Sequence, residues 1–253
     1  MKKGKSQAFM KIAVLTALGR ELAPVIKETG AGKAPKKETF SGHMKSFEVR
    51  LGGKRIFFVQ TGMGVKNAQR ASEAVINRFR PDIMISAGFG GAIHAGTGRG
   101  SLAHASKVLL FPEKDALEIP GASRIAQKLD NIADKTVFVT LSGWTGKDRL
   151  RGFLAHEDAP AVCEMETYPI ARASLQKGIT FFALRSITDV ADEDIPFDPA
   201  GISGKGGNVN LSRAILFFSL RPGLIPYMLR LRRASGLAAS KLSQALMKLF
   251  EAL

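Results

Sequence analysis

Cysteine is the scarcest reactive chemistry in this sequence. Cys163 is its one thiol, so no disulfide can close within the chain and stability must come from the core. That usage fits a reducing compartment, and the lone thiol reads as a small buried hydrophobe more readily than as a nucleophile. Histidine is sparse as well. His43, His94, His104 and His156 stand apart, without ligand-like spacing, and no metal site is expected. No run of about 18 apolar residues occurs, which excludes a simple membrane-spanning helix. The N-terminal MKKGKSQAFMKIAVLTAL resembles a signal peptide only superficially. Its apolar part is short, and Arg20 and Glu21 stand where a small-residue cleavage site belongs, so an intracellular protein is expected. Acids are also in deficit: 22 Asp and Glu face 37 Lys and Arg, a net charge of +15. Such a surplus calls for a nucleic acid, an anionic membrane surface or an anionic substrate as partner.

What the sequence does have is apolar mass and alternation. Hydrophobic residues are 45% of 253, enough for a sizeable core. KIAVLTAL (residues 11–18) reads as a buried first strand, and the Lys-, Gly- and Pro-rich stretch to about Ser41 as a helix followed by a loop. SFEVRL and KRIFFVQ flank Gly52-Gly53 as the arms of a hairpin. VKNAQRASEAVINRFR (residues 65–80) has helical spacing up to Pro81, and DIMISAGFGGAI follows as a strand running into a glycine-rich turn. KVLLF and TVFVTLSG are further strands. Helical spacing from Glu164 stops at Gly178, and ITFFALRSITDV has the near-continuous apolar character of a strand covered on both faces. Strands alternating with helices predict one three-layer α/β domain over residues 1–207. A basic, amphipathic helical extension over 208–253 follows.

In α/β sheets ligands gather beyond the C-terminal strand ends. Four segments project there: TALGRE with Glu21, TGMG with Gly64, SAGFGG with Phe89, Gly90 and Gly91, and ITDVAD with Thr188 and Asp189. The start of the helix after Cys163 brings Met165 and Glu166 to the same edge, so acids accumulate in one cleft of a basic protein. Each segment alone is weak, since a glycine pair is usually a turn and a strand-end Asp usually a cap. Their order is more specific.

EMET…ALRSITDVAD resembles the C-terminal block of the purine nucleoside phosphorylase and 5′-methylthioadenosine/S-adenosylhomocysteine nucleosidase superfamily. TGMG, SAGFGG and ALGREL fall where that superfamily carries its corresponding segments, and the likeness covers roughly residues 10 to 200. The resemblance implies a nucleoside phosphorylase-like three-layer fold with a central mixed sheet, and cleavage of a purine N-glycosidic bond. It implies that Asp189 is the general acid toward purine N7, its pKa raised by burial, and that Glu166 holds the ribose hydroxyls with Met165 against the sugar. Glu21 would activate water, as in the hydrolytic members. Arg20 beside it leaves phosphate open as a co-substrate, with no other cofactor expected. Phe89 replaces a small residue, and SGWTGKDRL replaces the segment that usually stacks on the base, making Trp144 a stacking candidate. A homodimer is also implied.

The tail segment LRPGLIPYMLRLRRASG resembles that of the hopanoid-associated branch, which removes adenine from adenosylhopane; the alternative is a 5′-methylthioadenosine/S-adenosylhomocysteine nucleosidase or phosphorylase acting in solution. Apart from any family, ILFFSLRPGLIPYMLRLRR pairs an apolar face with arginines, as an interfacial helix does. It lacks the aromatic interleaving of a nucleic-acid arm, and a solvated or packed helix pair is the blander reading.

Overall fold

A computed structural model describes residues 9–29, 36–40, 44–120, 122–129, 132–198, 201 and 216–253. The site is built from strands β1 (Met10–Thr16), β2 (Lys36–Phe40), β3 (Met44–Leu51), β4 (Lys54–Gln60), β5 (Ile83–Ala92), β6 (Leu102–Phe111), β7 (Ala116–Glu118), β8 (Ala133–Leu141), β9 (Ala161–Glu164) and β10 (Thr180–Asp189). Helices α1 (Gly19–Glu28), α2 (Val65–Phe79), α3 (Ala122–Gln127), α4 (Lys147–Phe153), α5 (Thr167–Gln176) and α6 (Ile225–Ala252) accompany them. The apolar runs become central strands because both of their faces are covered. In β10 every residue after Thr180 is buried.

The sheet is mixed. β5 runs parallel to β1 and β10, while β3 and β2 pair antiparallel beyond β4 to form a wing. On its other side the sheet does not stay open. β5, β10, β6, β8 and β9 pair in sequence and β9 returns to β5, so five strands close a ring. Helices α2 and α5 pack together on one layer, and α1 packs with α6 on the other. In α2, Ala68, Ala71, Ser72 and Val75 turn inward at helical spacing, and Arg80, left-handed at φ 49°, ends the helix before Pro81.

Two expectations change. The loop expected up to Ser41 contains an edge strand, since Lys36–Phe40 pairs with Met44–Glu48. The extension predicted from 208 begins outside the described residues, and α6 is joined closely to the α/β unit. Its second half buries Leu242, Leu246, Leu249 and Phe250 in the main core, with the Phe250 ring edge-on to Phe58 at 5.9 Å. Its first half keeps Ile225, Leu229 and Leu237 exposed. Among the described residues no helix is long and apolar enough to cross a membrane.

Candidate active site

The site grows from three short pieces of backbone. Gly64 caps α2 at φ 93°, a conformation that glycine adopts without strain, and so aims its N–H across the sheet edge. That N–H donates to Glu166 Oε1 at 2.8 Å. Glu21, in the first turn of α1, takes the Leu18 N–H at 2.7 Å on Oε2 and the Phe89 N–H at 3.1 Å on Oε1. The first of these satisfies a helix N-terminus, as a capping glutamate does. At the end of β10, Asp189 accepts the Thr188 hydroxyl at 2.9 Å on Oδ1.

Glycines let these acids sit against the strand backbone. A Cβ at Gly88 would lie 2.9 Å from Glu21 Oε1, and one at Gly91 would lie 2.3 Å from Asp189 Oδ2. SAGFGG is therefore the wall on which the carboxylates rest.

Glu164 and Glu166 have different jobs. Glu164 Oε2 takes the Glu166 and Thr167 N–H groups and the Arg185 guanidinium at 2.6 Å, and Oε1 takes the Thr140 hydroxyl. Arg185 is itself buried and also donates to Ser86 Oγ and Thr167 Oγ1. A buried charge must be paired, and this pairing locks the start of α5. Glu166 is left facing the cavity, with Arg185 4.0 Å away. Burial first, then the neighbouring Glu164 charge, pushes Glu166 up to about 8. Burial also raises Glu21, against the pull of its two backbone donors and of Arg185 and Arg20.

Glu21, Glu166 and Asp189 border one cavity of about 220 Å³. Met165, Phe89, Gly90, Gly91, Trp144 and Thr188 share its walls. Gly64 does not; it acts through Glu166. Of the acids that follow β10, Asp194 joins the wall and Glu193 pairs instead with Arg99. Asp189 does not stand alone: Lys147 Nζ lies 2.8 Å from its Oδ2. Cys163, expected as a small buried hydrophobe, is half-buried on the cavity wall, its thiol pushed up to about 12 by desolvation and by Asp189. Trp144 is at the mouth, 42% exposed. Sequence reading missed Lys147, Arg185 and the apolar rim of Ile195, Phe197 and Leu231. Arg185 stood in the quoted ALRSITD block and could have been found there.

Carboxylates on a glycine-backed strand edge thus face a cleft with apolar walls. Residues 11–200 match the phosphorylase superfamily, and the chain belongs to that family. Similar curated proteins include the 5′-methylthioadenosine/S-adenosylhomocysteine nucleosidases of an Exiguobacterium species, 26% identical over 73% of this chain and 87% of the relative, and of Shewanella halifaxensis, 25% identical over 75% and 90%. Among solved structures, futalosine hydrolase of Helicobacter pylori aligns with TM-score 0.75 at 16% identity, covering 96% of this chain and 98% of that one. The 5′-methylthioadenosine/S-adenosylhomocysteine nucleosidase of the same organism aligns with TM-score 0.75 at 17% identity, covering 97% and 100%. The chain is an enzyme of that superfamily.

Proposed function

We propose that this enzyme hydrolyses the N-glycosidic bond of a purine nucleoside bearing an apolar 5′ substituent. The observation that carries the reading is the meeting of Glu21, Glu166 and Asp189 around a single cavity. Glu166 holds the ribose hydroxyls, with Met165 against the sugar. Glu21 takes a proton from water as the water oxygen attacks C1′. The bonding pair leaves with the base, and Asp189, entering the step as the carboxylic acid, gives N7 the proton that lets the base depart neutral. Trp144 and Phe89 flank the cleft, and Arg20 lies 5.6 Å from the Phe89 ring centroid.

The finer proposal is adenine release from adenosylhopane at a membrane surface. It is supported by the apolar rim of Ile195, Phe197 and Leu231, and by the exposed Leu216, Leu220, Ile225 and Leu229 set among Arg221, Arg230 and Arg232. The test is chromatographic release of adenine from adenosylhopane in detergent, beside 5′-methylthioadenosine, with and without phosphate. Phosphate-independent release from the lipid is expected, and Asp189→Asn is expected to slow it by roughly 10²- to 10⁴-fold. Release from methylthioadenosine alone removes the lipid from the proposal, and a phosphate requirement removes hydrolysis.

A further inference from the structure

Five carboxylates border the cleft, those of Glu21, Glu164, Glu166, Asp189 and Asp194, and the cations on its walls are Arg20 and Lys147. A purine that takes the electrons of its glycosidic bond gathers negative charge, and a wall of acids opposes that charge unless a donor meets it. Arg20 is next to Glu21, its guanidinium over the Phe89 ring. Lys147 stands at the other acid. Its side chain is 5% exposed, and its ammonium touches Asp189 Oδ2 at 2.8 Å and donates to the Val190 carbonyl at 2.5 Å. Its backbone N–H is held by Asp194 Oδ1 at 3.0 Å, which fixes the first residue of α4. An ammonium has three N–H donors. Two are engaged here, and the third has no protein acceptor among the described residues although the side chain borders the cavity.

We propose that Lys147 is a second catalytic residue toward the leaving base, its third N–H donating to an accepting atom of the departing purine. As the C1′–N9 bond breaks, the electron pair passes to the base, and Asp189, protonated from solvent before the step, gives its proton to N7 and becomes the carboxylate that Lys147 faces. Lys147 keeps its own proton and offsets the charge that accumulates before that transfer is complete. The inference rests on Asp189 marking the purine end of the cleft.

The experiment compares the full chain with Lys147→Met, Lys147→Arg, Asp189→Asn and the Met/Asn double variant. The probe is whichever of 5′-methylthioadenosine, adenosine and inosine the wild type turns over fastest. Lys147→Met is expected to lower kcat by about 100-fold with KM changed less than about threefold, and Lys147→Arg to keep kcat within about tenfold of wild type. On the Asp189→Asn background, Lys147→Met is expected to cost at least about tenfold more. A residue that only propped Asp189 would add nothing there, and that result overturns the proposal. So does a loss confined to KM. Should Lys147→Met not fold, Lys147→Arg decides: a fall as deep as that of Asp189→Asn shows that the charge is not what matters. If Asp189→Asn releases base at the wild-type rate while Lys147→Met does not, the acid assignment fails and Lys147 stands. If both variants are unchanged, both assignments fall.

Discussion

At the scale of single residues, position 91 shows how tightly the acids are set. A Cβ there would meet Asp189 Oδ2 at 2.3 Å and Cys163 Sγ at 3.1 Å, so Gly91→Ala must push the carboxylate off its wall. Displacements of this order cost about 10²-fold in rate when they misplace a catalytic group. Gly91→Ala is thus expected to lose kcat by about that factor while keeping a cooperative thermal transition. An unaltered kcat would show that Asp189 has room to spare. Glu166 gives a pH signature. It is raised to about 8 from an ordinary 4.5, so the folded protein holds this proton more tightly than the unfolded chain. Its contribution to stability is full below 4.5 and is lost as pH rises toward 8. Glu166→Gln, neutral throughout, is expected to flatten the fall in unfolding free energy across that interval, read by urea titration at several pH values. A variant with the wild-type slope would refute the assignment. Glu21, Glu166 and Asp189 were legible because ordered motifs bracket them. Lys147 was not, because GKDRL reads as a solvated helix start; it is buried by Asp189 and by Asp194, the latter 47 residues away in sequence.

At the scale of elements, the strands with continuous apolar runs were legible and the short ones were not. β9 is four residues long and β7 three, and neither carries a periodicity of its own. β9 exists because it bridges β8 and β5, a long-range pairing that closes the ring and that local pattern does not encode. The last helix misled in a different way. Its arginines and leucines suggested an appendage, yet Leu242, Leu246 and Leu249 repeat at helical spacing and fit between α1 and the sheet. Leu246→Ala is expected to destabilise the whole domain by about 2–5 kcal/mol, as large-to-small changes in a packed core do. Urea unfolding measures this, and a loss well under about 1 kcal/mol would mean that α6 is only loosely docked.

At the scale of the molecule, arginines gather on and just before the first half of α6, whose Leu231 borders the cleft. Arg221, Arg230, Arg232 and Arg233 neighbour the exposed Leu216, Leu220, Ile225 and Leu229, and basic residues beside an anionic leaflet contribute about 1 kcal/mol each. The full chain is expected to sediment with phosphatidylglycerol vesicles at low salt and to leave them as salt rises. A Leu220→Asp/Leu229→Asp variant is expected to stay behind in the supernatant while still turning over a detergent-dispersed substrate. Wild-type protein that remains in the supernatant at low salt would end the membrane reading. The cleft itself joins two kinds of construction. Its acids rest on glycine backbone, where no side chain can be exchanged without moving them, whereas its rim is made of the side chains of Trp144, Ile195, Phe197 and Leu231. On the proposed function, chemistry and selectivity are therefore separable by position. A library randomised at those four rim sites could be selected for new 5′ groups, each member inheriting the same bond-breaking centre.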